Sequence, residues 1–178
     1  MGMRQGSIRI GTSGWHYDHW RGPFYPAGAS AREMIDHYRV HFDTVEINNS
    51  FYHLPPIRQF SAWRREAPSD FVFAVKANRY ITHVKKLRDP KATVRKFWTH
   101  ARRLGHKLGP VLFQLPGRWG ADPERLEAFL SALPKGLRAA FEFRDPSWFV
   151  PPVYEALERH GAGFCLYELE GRLAPGVV

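Results

Sequence analysis

Glu46, Lys76, Gln114, Glu142 and Arg144 each stand near the end of a short apolar stretch, alternating with its apolar residues. Glu46 and Asn48 oppose Val45 and Ile47. Lys76 opposes Phe71, Phe73 and Val75. Gln114 opposes Val111, Phe113 and Leu115, and Glu142 and Arg144 oppose Ala139, Phe141 and Phe143. Side chains alternate faces along a strand, so each polar set shares one side. Burying such groups is costly unless they pair with one another or with a ligand. Neighbouring parallel strands would bring Glu46 beside Lys76 and Gln114 beside Glu142. A carboxylate next to an ammonium or guanidinium forms a positioned acid–base pair whose protonation is tuned by burial. A desolvated Lys76 could instead form a Schiff base with a carbonyl substrate.

Glu46, Lys76 and Glu142 are therefore the candidate catalytic residues. Ser13, Trp15, Asn48, Tyr52, His83, Gln114, Arg144 and Trp148 are the candidate substrate-binding set. Two cations in one lining favour a carboxylate or phosphate on the ligand. The same residues could equally form a structural ion-pair network. A glycosidase pair of Glu46 and Glu142 is a narrower option, since their separation is not encoded in the sequence. Aromatic residues crowd two loops, Trp15–Trp20 and Phe51–His53, and either cap a core or stack on sugar rings or bases. The His16-x-x-His19 spacing lies in a loop, where it is a weak metal signal. The polar set offers cations and amides where metal ligands would be needed, so no metal or cofactor is expected. No glycine-rich phosphate loop or nucleophile elbow is present.

The elements that must position these residues alternate in type. The five strands are read as Ser7–Ser13, Thr44–Asn49, Phe71–Lys76, Val111–Leu115 and Arg138–Arg144, with a sixth at Gly163–Tyr167. Ser30-Ala31-Arg32-Glu33 is a capping box opening a helix through about Phe42. Phe60 and Trp63 mark a second helix. Asp89-Pro90 and Asp122-Pro123 each put a capping residue before a proline at the first helical position, opening helices to about Leu104 and Leu133. A fifth helix follows Asp145-Pro146-Ser147-Trp148. Strand–helix alternation predicts a parallel sheet with helical crossovers, either doubly wound or a TIM (β/α) barrel. Polar residues gathered on one face at the C-terminal strand ends favour the barrel. Six βα units against the eight of a closed barrel make it incomplete, so residues 1–178 are read as one partial TIM-barrel domain lacking roughly its last two units. Its exposed strand edges predict self-association.

Composition narrows the setting. With 178 residues, 44% of them hydrophobic, the chain can bury a substantial core. The segment Met1–Gly6 lacks the apolar stretch of a secretory signal, no apolar run spans a bilayer, and a cytoplasmic location is expected. The single cysteine, Cys165, lies between Phe164 and Leu166 and reads as a core residue, not a nucleophile. Between Arg79 and Lys107 stand ten Lys and Arg residues and one acid, Asp89, so this basic stripe carries the whole net charge of +9. It is either a solvated helix face or a surface for nucleic acid. Binding or processing of nucleic acid is thus the alternative to an enzyme of small anionic or sugar-like ligands.

Several motifs resemble the YecE-like family, also called domain of unknown function 72. They are Gly11-Thr12-Ser13-Gly14-Trp15, Trp20, Phe24-Tyr25-Pro26, Val45-Glu46-Ile47-Asn48 with Phe51-Tyr52, and Phe71–Lys76 with Thr82-His83. Leu112–Pro116 and Glu142-Phe143-Arg144 with Ser147-Trp148 complete the series. They run in order over about residues 8–168. The resemblance implies a TIM barrel longer by roughly two βα units and carries no reaction with it. This chain departs from the pattern at Glu168, where the family tends towards aspartate.

Overall fold

The computed structural model describes residues 7–176; Met1–Gly6, read above as lacking a secretory signal, and the last two residues lie outside them. Five strands form a parallel sheet in the order β1-β2-β3-β4-β5: β1 Thr44–Ile47, β2 Val72–Lys76, β3 Leu108–Gln114, β4 Ala139–Glu142 and β5 Gly163–Phe164. Between and before them run α1 Ala31–His41, α2 Ile57–Glu66, α3 Pro90–Ala101, α4 Pro123–Ser131 and α5 Pro151–Arg159. The sheet is open, with β1 and β5 at opposite edges. A closed barrel is not formed. Among the described residues no helix is long and apolar enough to cross a membrane.

Alternation decides which face the helices cover. Val45, Ile47, Phe73, Val75, Val111, Phe113, Phe141 and Phe143 are all buried. They share one face because the register pairs Val45 with Phe73, Ile47 with Val75, Val75 with Val111 and Phe113 with Phe141. Helices pack on this face through aromatic rings. Trp63 of α2 stacks at 6.5 Å on Phe73, and Phe129 of α4 meets Phe113 edge-on at 5.2 Å. A ladder of Phe113, Phe141 and Phe143 continues into Trp148. Each such ring removes some 150–250 Å² from water, which makes this layer the dominant stabilising contact.

Local signals set the helix starts. In α1 the capping box is made as expected: Glu33 N–H donates to Ser30 Oγ at 3.3 Å and Ser30 N–H to Glu33 Oε2 at 2.7 Å. Asp122 caps α4, its Oδ1 accepting from Arg125 N–H at 3.0 Å. Asp89 does not cap α3. Its backbone is left-handed, with φ 51°, its side chain accepts no helix N–H, and its carboxylate meets Lys85 Nζ at 3.1 Å.

Two strand expectations are corrected, and a hairpin is found that the sequence reading did not include. Ser7–Ser13 makes only a bridge, Ser13 with Glu46, and Ile8 and Ile10 are 92% and 74% exposed. That register sets residues before Gly11 opposite the end of α1, where β1 has not begun, so they have no ladder partner. The sheet therefore holds five strands, not six. β3 starts at Leu108 and not at Val111, because a bulge between Phe73 and Val75 accommodates Pro110, which cannot donate to a ladder. Beyond β5, Glu168–Leu169 and Arg172–Leu173 pair as an antiparallel hairpin, β6 and β7. Its turn places Glu170 and Gly171 at φ 50° and 76°, the double positive φ of a type I′ hairpin turn.

Candidate functional site

The face away from the helices carries the polar set. Ser13 bridges to Glu46, and Glu46 lies opposite Ala74. Lys76 lies opposite Leu112, Leu112 opposite Ala140, and Ala140 opposite Gly163. Gln114 lies opposite Glu142. Alternation puts all of these on one side, and the small Ala74, Ala140 and Gly163 give that side a low floor between the charged groups.

Glu142 is the anchor at one end. It is 5% exposed; Gln114 Nε2 donates to its Oε1 at 2.7 Å, and Arg144 Nε pairs with the same oxygen. The Arg144 guanidinium lies 4.4 Å over the Tyr167 ring. This buried carboxylate is satisfied by one amide and one cation, and it holds the guanidinium in a fixed place. Gln114 beside Glu142 is as the sequence predicts.

Lys76 belongs to a second group. Its ammonium lies 4.9 Å over Phe51, which also meets His83 edge to face at 5.0 Å. His83 Nδ1 is 2.8 Å from Thr82 Oγ1. Burial, with the positive charges of Arg79 and Lys76, holds the His83 imidazole below its ordinary range, so it is neutral at pH 7. The expected Glu46–Lys76 pair is not made. Glu46 faces Ala74, two residues short of Lys76, and continuing the register past Ile47 and Val75 sets Asn48 beside Lys76. Glu46 Oε1 and Asn48 Oδ1 are instead buried acceptors without a hydrogen-bond donor.

Cys165 reaches the polar face, half-buried, and not the apolar core expected of it. Its thiol is pushed up to about 11, first by burial, then by Glu142 and Glu46, against the opposing pull of Arg144 and Lys76. It is a protonated thiol at neutral pH.

The loop that follows β2 is unusual. Tyr80–Val84 forms a π-helical turn, and Lys86, Leu87 and Asp89 all have positive φ without being glycine. Both features are uncommon and concentrate at functional sites. Leu87, 1% exposed, anchors the loop.

The remaining candidates fall elsewhere. Trp15 and Tyr52 line an adjoining groove of about 560 Å³ with Ile35, Gln59 and Trp63, and Asn48 lines it too while standing beside Lys76 by register. Trp148 is fully buried, stacked on Phe143 at 5.0 Å with its Nε1 donating to the Trp119 carbonyl at 2.6 Å. It is core and does not reach the polar face. Sequence reasoning missed Phe51 as the platform for Lys76, Tyr167 as the cover of Arg144, and Gln59. The last had a signal, because Gln59 and Trp63 stand four apart on α2 and so share a face.

The basic stripe is mostly on the outer layer. Val94, Phe97 and Ala101 bury one side of α3, which leaves Lys91, Arg95 and Lys96 in solvent. Lys107 is 6% exposed and donates to the Arg64 and Ala67 carbonyls at the end of α2, which accounts for its burial structurally.

A family model described as "Protein of unknown function DUF72" matches residues 9–178. Over 157 residues the chain is 32% identical to the UPF0759 protein YunF of Bacillus subtilis, covering 83% of this chain and 54% of that protein. It is 31% identical over 145 residues to the UPF0759 protein YecE of Escherichia coli, covering 80% and 50%. The chain thus spans about half the length of these curated relatives. Among solved structures it superimposes on a DUF72 family protein of Thermotoga maritima with a TM-score of 0.76 at 32% identity, over 88% of this chain and 63% of that one. A DUF72 family protein of Enterococcus faecalis, at 20% identity and a TM-score of 0.67, shares the fold over 88% of this chain and 61% of that one.

Proposed function

The chain belongs to the DUF72 family, and from that premise we propose that its sheet is an arc of a (β/α) barrel whose polar inner face holds a small anionic, sugar-like ligand for metal-independent acid–base chemistry. Strand order that follows chain order, with the helices on the apolar face, supports the barrel arc. In a barrel, sites gather at the C-terminal strand ends, where Lys76, Gln114 and Glu142 stand. One observation carries the functional reading: Glu46 Oε1 and Asn48 Oδ1 are buried and unpartnered on the face that also presents two cations. A buried acceptor left without a donor costs about 1–3 kcal/mol, a cost that ligand hydroxyl groups would remove.

The roles follow from the partners. Arg144, fixed by Glu142, and Lys76, held over Phe51, bind the anionic group and stabilise charge that develops during reaction, a task a metal performs in other sites. Glu46, whose Oε1 is free, takes the proton. Lys76 or the neutral His83 moves a proton at the opposite side of the ligand. Glu142, engaged by both Gln114 and Arg144, positions the cation and does not exchange protons itself.

The test is a thermal-shift and turnover screen of phosphosugars and sugar acids against the wild type, Lys76→Met and Glu46→Gln. A hit should raise the wild-type melting temperature and lose that shift in Lys76→Met. Glu46→Gln should retain binding and lose turnover. Equal shifts in wild type and Lys76→Met would defeat the proposal.

A further inference from the structure

We propose that the groove between the first loop, α1 and α2 is a subsite for a neutral sugar ring, so that the ligand is a saccharide with its anionic group directed to Lys76. The anionic half of this statement rests on the reading above. The groove itself does not.

Its volume, about 560 Å³, is that of a small-molecule site, for which roughly 300–1,000 Å³ is usual. Trp15 and Trp63 meet edge to face at 5.5 Å and form an apolar wall. Ile35, 8% exposed, extends it, and Tyr52 stands at the rim with 62% of its surface free. Such walls suit the C–H face of a pyranose. Beside His16 and Tyr17, the polar groups of the lining include the amides of Asn48, Asn49 and Gln59, each able to donate and accept at once, as paired ring hydroxyls require. The two oppositely charged groups of the lining, Arg32 and Glu66, pair with each other at 2.9 Å. The occupant is therefore neutral where it lies in the groove.

Asn48 connects the two regions. It lines the groove, and by register it stands beside Lys76. Its Oδ1, like Glu46 Oε1, lacks a donor. A planar heterocycle supplies few donors, and indoles crossed at 84° cannot sandwich it between parallel walls. A sugar supplies a donor at nearly every ring carbon. The unpaired acceptors and the crossed indoles together favour the sugar.

The experiment is a titration followed by tryptophan fluorescence and calorimetry. Glucose, galactose, N-acetylglucosamine, maltose and cellobiose are the neutral probes, glucuronate and glucose 6-phosphate the anionic ones, and AMP the planar-ring competitor. At least one neutral sugar should change the fluorescence and bind. Tyr52→Ala and Gln59→Ala, both at solvent-accessible positions, should each weaken it about tenfold, while the exposed-helix control Arg95→Ala should not. The inference is overturned if no neutral sugar binds, if both groove variants bind as the wild type does, or if AMP displaces every sugar. The anionic counterpart should bind more tightly than the neutral sugar, and Lys76→Met should bring that ratio to about one. A ratio unchanged in Lys76→Met, with groove dependence intact, would defeat the reading of the polar face and leave the sugar subsite standing.

Discussion

Glu142 and Lys76 are both charged residues at strand ends, yet their removal should have opposite consequences. Glu142 is buried against Arg144 and Gln114, so Glu142→Ala strands a cation and an amide; the expected loss is about 3–5 kcal/mol in a urea titration. Lys76 rests on an aromatic ring and its predicted carboxylate partner is not there, so Lys76→Met should change stability by less than about 1 kcal/mol while removing ligand binding. A large destabilisation by Lys76→Met with binding retained would reverse these assignments. His83 adds a pH dependence. Its proton affinity is depressed in the folded chain, so as pH falls below the ordinary imidazole value of about 6.5 the unfolded chain takes up the proton first. Stability therefore declines with falling pH from that point until the pH has passed below the folded value. His83→Gln should flatten this part of the profile between pH 7.5 and 5.5, and identical slopes for both proteins would count against it. At this scale the shared face of Gln114, Glu142 and Arg144 was legible in the sequence from alternation phase, and the β3–β4 register then sets Gln114 opposite Glu142 as expected. The Glu46–Lys76 pair was misread for a physical reason: which residues stand opposite depends on register between strands, and neither strand encodes that alone.

Asp89-Pro90 and Asp122-Pro123 look identical as helix starts and both precede real helices, but only one makes its cap. Asp122→Ala should cost ~1 kcal/mol. Asp89→Gly should leave the denaturation midpoint unmoved, since the side chain caps nothing and glycine suits the left-handed backbone there. A fall equal to that of Asp122→Ala would mean that Asp89 does cap. Helix starts, the apolar strand faces and the parallel alternation were all legible, because capping pairs and period-two patterns are local chemistry. What the sequence misplaced at this scale depends on neighbours. Ile8 and Ile10 alternate correctly for a strand but meet no partner. Pro110 argues against a strand until a bulge absorbs it. The β6–β7 hairpin turns on Glu170-Gly171, a weaker signal than Asn-Gly or Asp-Gly, and was not read at all.

The whole molecule exposes what a closed structure would cover. Ile8, Ile10 and Val40, at 92%, 74% and 81% exposure, line one concavity beside Phe42 and Phe71, and β5 offers a free edge at the other side of the sheet. Contiguous apolar surface and an unpaired edge both recruit other chains. Sedimentation velocity should therefore detect concentration-dependent self-association, reduced when Ile8 and Ile10 are both changed to serine. A monomer at all concentrations would leave these surfaces without that role. The open sheet agrees with the incomplete set of βα units read from the sequence, whereas alternation and strand count describe each unit but not the curvature that would make the sheet an arc of a barrel. The strand order has a consequence for how the chain is made. Because every strand pairs with the one synthesised just before it, no ladder waits for a distant segment, and loop-closure entropy is spent in small instalments. Each βα unit emerging from the ribosome finds its docking edge already built, so folding can keep pace with translation from the first unit onward.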